Sequence, residues 1–422
     1  MEEYQYPVHY FQCNTSIPPE TAARQMMLFI DRVEPPPKIA GETGVPGLKL
    51  DFNYGLRLQV PNGQWRVVIG NAMNGQIYFN EDVSEKVVVS FEKFYIPWQI
   101  DVFRDGEKVF SHTFDPEGQP VMFYFPNRAL GDSISLLPYV AAYVRERRCK
   151  AYIFIAAYLR DIVKRYYPEL QISTAADEET YATYYVGMYI DFFCGSPEDC
   201  RYAPMEHAGK YILGIRELQR TRRFLPLAKR KIKERYVCIG AQASWAWKGW
   251  HYPHGWDEIV ETLKESGYRV LCIDRDKEVE DDGIKIVMPE RAEDFTGELP
   301  LSERIELLAY ADFFIGLGSG LAWLAYAVGC PVVMICGFSS SWYEFYTPYR
   351  VYNDMKCHGC YNDARIPYNI IMKCPRHHGT SRAFECSSGA TSKQVLNMIV
   401  KLIDDMDKNQ NHPLNGWFEQ AL

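Results

Sequence analysis

Residues 313–338 carry no charged side chain. A run of that length could cross a bilayer as one helix. Gly316, Gly318, Gly320, Gly329 and Pro331 instead cut it into strand, helix and strand. Such a segment is stable only when covered on every side, and that is how the centre of a parallel α/β sheet is built. The pattern recurs. Residues 121–125 read as a buried strand, followed by a turn over 126–132. An amphipathic helix then runs to about Arg147, with Ile134, Leu137, Val140, Ala141 and Val144 at helical spacing. A strand over 151–156 and a helix over 158–166, stopped by Pro168, complete a βαβ unit. A second set starts at Tyr236. It has strands over 236–241, 268–274, 284–287, 312–316 and 331–336, and helices over 256–266, 302–310 (capped by Ser302) and 319–328. Two Rossmann-like halves with a ligand cleft between them are expected.

Residues 1–120 differ. Short strand-like runs over 51–60, 64–69, 76–79, 86–91 and 99–103 are punctuated by Pro61-Asn62-Gly63, Asn74-Gly75 and Asp105-Gly106. The spacing predicts a small barrel or sandwich. The expected division is therefore a β-rich barrel-like domain (1–120), a first α/β half (121–234), a second α/β half (235–352), a cysteine-rich finger (353–391), and a C-terminal helix and tail (392–422). The net charge of −8 argues against sequence-independent nucleic-acid binding. The basic stretch 216–235, with Arg220, Arg222, Arg223 and Arg230, reads either as a solvated connecting helix or as a rim attracting an anionic ligand or an acidic partner. No basic, apolar leader opens the chain, and twelve cysteines without one point to a reducing cytoplasm. No membrane span is expected.

Four stretches carry chemistry. Cys357-His358-Gly359-Cys360, followed by Cys374 and Cys386, supplies four sulfurs to a segment with little apolar periodicity, so a bound metal would provide its order. Zinc and iron both accept four thiolates. Disulfides or unrelated buried thiols are the other reading, and His358, His377 or His378 could replace one sulfur. Gly316-Leu317-Gly318-Ser319-Gly320 ends a strand and opens a helix, where backbone N–H groups favour an anion; glycine-rich turns also arise from packing alone. The loop from Gly240 to Trp250 offers Gln242 and Ser244 for hydrogen bonds and Lys248 as a point charge for a diphosphate, unless Lys248 is simply a surface lysine. Asp132, in Gly131-Asp132-Ser133, reads as a helix N-cap, as a general base, or as both.

In their order along the chain these residues resemble the ADP-heptose heptosyltransferases of the GT-B fold. The resemblance rests on the Gly131-Asp132 turn, a helix containing Pro138, the Lys248 loop, Asp294-Phe295-Thr296-Gly297, and the run from Phe314 to Ala322. With the β-rich N-terminal region and the four-cysteine insertion, the chain looks like the bacterial autotransporter heptosyltransferase family. That resemblance implies a protein O-heptosyltransferase moving heptose from ADP-heptose to serine or threonine of an adhesin, in the cytoplasm, with inversion. It implies Asp132 as catalytic base, and Ala129 and Leu130 lining the sugar. Gln242, Ser244, Lys248, Ser319, Gly320 and Leu321 would bind the donor, with Met288 and Asp294 near its adenine. Cys357, Cys360, Cys374 and Cys386 would hold one structural iron, with no catalytic divalent metal and a homo-oligomer, typically a dodecamer. Lipopolysaccharide-core relatives typically carry Asp-Thr-Gly-Leu-Ala-His where this chain has Gly318-Ser319-Gly320-Leu321-Ala322-Trp323, which favours a protein acceptor. The rivals are a lipopolysaccharide-type or other nucleotide-sugar transferase, and a metal-stabilised scaffold that binds an adhesin.

Overall fold

The structure is a computed structural model; it describes residues 4–33, 38–126, 128–174, 179–189, 193–216, 218, 223–281, 283–367 and 373–408. Asn127, Arg220, Arg222 and the tail 409–422 lie outside the described residues. The chain divides into two compact units. One comprises Met1–Arg128, Tyr139–Cys200 and His207–Leu218; the other comprises Ala129–Pro138, Arg201–Glu206 and Gln219–Leu422.

The first unit contains β1 (Val8–Phe11), β2 (Lys49–Asn53), β3 (Arg57–Val60), β4 (Trp65–Asn71), β5 (Ile77–Val83), β6 (Lys86–Ser90), β7 (Trp98–Arg104), β8 (Glu107–Thr113), β9 (Pro120–Tyr124), β10 (Lys150–Phe154), β11 (Gln171–Ile172) and β12 (Ala182–Tyr185). The N-terminal region is β-rich as expected, but its described strands do not close into a barrel. Strands β5-β4-β7-β8 form an antiparallel sheet, while β1, β6, β3 and β2 continue into an eight-stranded sheet with β12, β9, β10 and β11. The join is β2 beside β12, with Phe52 opposite Ala182 and Asn53 opposite Thr183. Its cause is local. Tyr54 and Gly55 adopt positive φ (56° and 92°) and split the 51–60 run into two strands. Asn53 is then buried at the seam, donating to the Thr180 carbonyl (3.0 Å) and accepting from the Thr183 hydroxyl (2.7 Å). A buried pair locks the β2–β3 turn, with Arg57 Nη2 2.6 Å from Asp51 Oδ2. Phe11 of one sheet packs against Phe79 and Trp98 of the other. The helix Pro19–Arg32 and strand β8 were not anticipated.

The second unit is built on β13 (Tyr236–Gly240), β14 (Arg269–Cys272), a β15–β16 hairpin (Glu278–Asp281 and Ile284–Val287), β17 (Glu293–Asp294), β18 (Phe314–Leu317), β19 (Val332–Ile335) and β20 (Arg350–Val351). Its main sheet runs β17-β14-β13-β18-β19-β20, all parallel. In order of appearance that is 3-2-1-4-5-6, the doubly wound Rossmann order. The topological switch falls between β13 and β18, where such sheets bind ligands at the strand carboxyl ends. The uncharged run behaves as read: β18, the helix Gly320–Val328 and β19 are buried almost throughout, and Gly329 ends the helix in the left-handed conformation. Two capping expectations change. Pro300, not Ser302, is the N-cap residue of the helix Leu301–Tyr310; its ψ of 141° is extended, and Ser302 already lies inside the first turn. Asp132 lies within the first turn of the helix Leu130–Arg147 rather than capping it. The basic residues 223–235 form no helix; Arg223 is tied to the Val328 carbonyl, and Arg230 to those of Ile232 and Glu234.

Candidate active site

Three segments of the second unit meet at the switch point. The first follows β18. A side chain at Gly318 would sit 2.8 Å from Cys336 Sγ and 2.9 Å from Glu344 Oε1, so only glycine fits. Ser319 is the N-cap residue of the helix Gly320–Val328, in extended conformation, yet its hydroxyl makes no capping bond. That buried hydroxyl has no hydrogen-bond partner among the described residues. A buried orphan hydroxyl at a helix N-terminus is costly unless a ligand completes it.

The second segment is the start of the helix Leu130–Arg147, whose first turn belongs to this unit. A Cβ on Gly320 would lie 2.8 Å from Leu130 Cβ, and one on Gly131 would lie 2.9 Å from Trp323 Cδ1. Two helix N-termini therefore abut through paired glycines. Half-buried Asp132 rides on one and Ser319 caps the other, and both helix ends are partially positive. Ala129 is exposed and Leu130 half-buried.

The third segment follows β13. Asp274 accepts the Ala241 N–H (2.8 Å) and the Gln242 N–H (3.3 Å), holding the loop's root. Burial raises the Asp274 carboxyl to about 6, against the pull of those two N–H groups. The Gln242 side-chain amide donates to the Asp276 carbonyl at 2.7 Å, so part of its hydrogen-bonding capacity braces the loop. Leu321 bridges toward this strand, its Cδ1 3.1 Å from where a Gly240 Cβ would be. Ser244 is exposed. Lys248 is half-buried, its ammonium 5.2 Å from the Phe338 ring centroid and 5.5 Å from that of Trp247. Further along, Met288 packs half-buried against the apolar core of the sheet. Asp294 is exposed and engaged locally by Lys277 (2.6 Å) and the Thr296 hydroxyl (2.6 Å); these contacts, Lys277 first, pull its carboxyl down to about 2.

Beside the Lys248 loop, all four finger cysteines line one small pocket with Trp247, Phe338 and Phe384. All twelve cysteines are free, so no disulfide staples the segment. Burial, followed by the neighbouring thiols, raises the Cys360 and Cys386 thiols to about 12. Backbone and cation already face the sulfurs: the Phe384 N–H donates to Cys374 Sγ at 3.2 Å, and Arg376 Nη1 lies 3.7 Å from Cys357 Sγ. The residue types suit a thiolate-bound iron or zinc, but the four sulfurs share a pocket without forming a tight four-sulfur cluster. Among the described residues the one close group of candidate ligand atoms is mixed: Cys357 Sγ, His377 and Glu385 lie within 4.8 Å of one another in that pocket. Sequence reasoning missed Trp247, Phe338, Asp274 and Glu344. Only Trp247 had a signal, its place in an aromatic loop.

A Rossmann-ordered sheet that gathers the Asp132 turn, the Ser319 helix start and the root of the Lys248 loop at its switch point is a nucleotide-binding frame. Residues 201–362 match the model of glycosyltransferase family 9 (heptosyltransferase), and residues 44–106 match the N-terminal domain of glycosyltransferase TibC. The autotransporter heptosyltransferase TibC of Escherichia coli O78:H11 is 39% identical over 375 residues, spanning 87% of this chain and 92% of that protein. The inactive autotransporter heptosyltransferase BimC of Burkholderia thailandensis is 32% identical over 374 residues, covering 86% and 88%. Crystal structures of the iron-containing, dodecameric TibC from enterotoxigenic E. coli align with TM-scores of 0.84 and, for its complex with ADP-D-β-D-heptose, 0.82. Both are 38% identical and cover 88% of this chain and 99% of that one. The chain belongs to the autotransporter heptosyltransferase family, and the glycosyltransferase fold and class follow from that membership. Among the described residues no helix is long and apolar enough to cross a membrane.

Proposed function

We propose that this chain moves heptose from ADP-heptose to serine or threonine hydroxyls of an autotransporter adhesin, with inversion. The observation that carries the reading is the abutment of the two helix starts at Leu130–Gly131 and Gly320–Trp323, which brings the Asp132 turn beside the unpaired Ser319 hydroxyl. Asp132 accepts the proton of the acceptor hydroxyl as its oxygen attacks the anomeric carbon. The bond from that carbon to the diphosphate breaks, and ADP leaves with the electron pair. Ser319, the N–H groups at Gly320 and Leu321, and Lys248 stabilise the departing charge, so no catalytic divalent cation is needed. Ala129 and Leu130 line the heptose, Gln242 and Ser244 border the diphosphate, and Met288 and Asp294 flank the adenine side.

Cys357, Cys360, Cys374 and Cys386 hold one structural iron, with zinc as the alternative, and residues 353–391 fold around it. Transfer takes place in the cytoplasm before the adhesin is exported, and the enzyme works as a homo-oligomer, as dodecameric TibC does. Intact-protein mass of an adhesin co-expressed with the chain, together with a donor screen of ADP-heptose against UDP- and GDP-sugars, tests the reading. An adhesin gaining heptose-sized increments from ADP-heptose alone supports it; transfer from another donor sinks it. The inactive relative favours one second reading, an adhesin-binding scaffold. A scaffold would bind adhesin and leave its mass unchanged.

A further inference from the structure

We propose that the cysteine finger is a positioning element for Lys248, acting through Phe338 and Ser387. The proposal rests on the donor-binding role given to Lys248 above. Among the described residues no carboxylate pairs with the Lys248 ammonium. It lies instead on two aromatic faces, Trp247 and Phe338, which meet edge to face at 4.7 Å and 84°. The same two rings line the cysteine pocket.

Phe338 is fixed from the finger side. Its carbonyl accepts the Tyr361 N–H at 3.0 Å, and the Gly337 carbonyl accepts the Gly359 N–H at 2.9 Å, inside the Cys357–Cys360 turn. Gly337 itself lies so close to the Cys386 carbonyl that a Cβ would stand 2.3 Å from that oxygen. The finger also grips the loop just beyond the lysine. Ser387, next to Cys386, donates to the Gly249 carbonyl and accepts the His251 N–H at 3.1 Å. Trp250 Nε1 donates to the Ala390 carbonyl at 2.7 Å.

The chemistry explains why rings serve here. A carboxylate would position an ammonium but neutralise it, whereas an aromatic face holds the cation and leaves its full charge and its N–H donors for a diphosphate. A lysine held this way loses less side-chain freedom when the anion arrives.

The test is a double-mutant cycle on the full-length, metal-loaded protein, read as ADP affinity by calorimetry. Phe338→Leu is expected to weaken ADP binding about fivefold to tenfold, and Phe338→Tyr to restore it. In a Lys248→Met background, Phe338→Leu should change ADP affinity by less than about twofold. If the two losses instead multiply, Phe338 does not act through Lys248 and the proposal falls, while the donor role of Lys248 stands. If Lys248→Met leaves ADP affinity unchanged, the donor role and the positioning fall together. Ser387→Ala is the milder second variant should Phe338→Leu fail to fold, with the same non-additivity expected. A readout independent of the donor is amine labelling of Lys248 followed by mass spectrometry. Faster labelling in Phe338→Leu or Ser387→Ala than in the parent supports a held ammonium, and an equal rate overturns it.

Discussion

At the scale of single residues, the site separates charge that reacts from charge that braces. Asp132 and Lys248 stand on the two segments proposed to face acceptor and donor, whereas Asp274, Asp294 and Glu344 are occupied in holding loops. Asp132→Asn should keep ADP affinity and melting temperature while lowering transfer by at least about a hundredfold; turnover near the parent's would remove Asp132 as the base. Ser319→Ala should lose a partner for the diphosphate at little cost in folding, because the hydroxyl bonds to nothing among the described residues. A calorimetric fall of about threefold to tenfold in ADP affinity is expected. Asp274 gives a pH signature. Its carboxyl is raised above the ordinary 3.8 to about 6, so its contribution is complete below about pH 4 and is lost as pH rises through 6. The stability of the parent relative to Asp274→Asn should therefore decline between pH 4 and 7, by up to about 3 kcal/mol. Denaturant melts across that range check the sign.

At the scale of elements, glycines decide which pieces of chain can touch. Gly131 and Gly320 allow two helix starts to abut, and a methyl group at either would press on Trp323 or Leu130. Gly320→Ala should cost about 1–3 kcal/mol from overpacking and lower donor affinity by displacing the cap at Ser319. Urea melts with ADP titration measure both effects, and an unperturbed variant would show that the contact is slack. In the other unit the Asp51–Arg57 pair is buried on both sides. Removing one partner, as in Asp51→Ala, takes the carboxylate from a buried guanidinium at a cost of about 3–5 kcal/mol. The β2–β3 turn that this pair holds was not legible in the sequence, because residues 51–60 read as one unbroken strand. The βαβ segments were legible to within a residue or two, since their apolar periods and glycine stops are local signals.

At the scale of the molecule, the finger is the part whose sequence has little apolar periodicity of its own. If the proposed iron site and homo-oligomer hold, Cys360→Ser should sharply reduce bound metal, lower the melting temperature and shrink the assembly; elemental analysis, thermal melts and light scattering read the three in turn. A variant of parental size and stability without metal would assign the finger's order to packing alone. What the sequence determined by itself was everything carried by local pattern: two α/β sets, glycine turns at strand ends, and four sulfurs in one segment. Those follow from periodicity and backbone sterics, which need no knowledge of distant partners. The tertiary structure alone decided that N-terminal strands extend the first sheet rather than close a barrel, and that Asp132 lies in the first turn of its helix rather than capping it. It alone set Trp247 and Phe338 between lysine and sulfurs. These outcomes depend on contacts between residues far apart in the chain, and short-range preferences cannot encode which of several compatible partners a surface will meet.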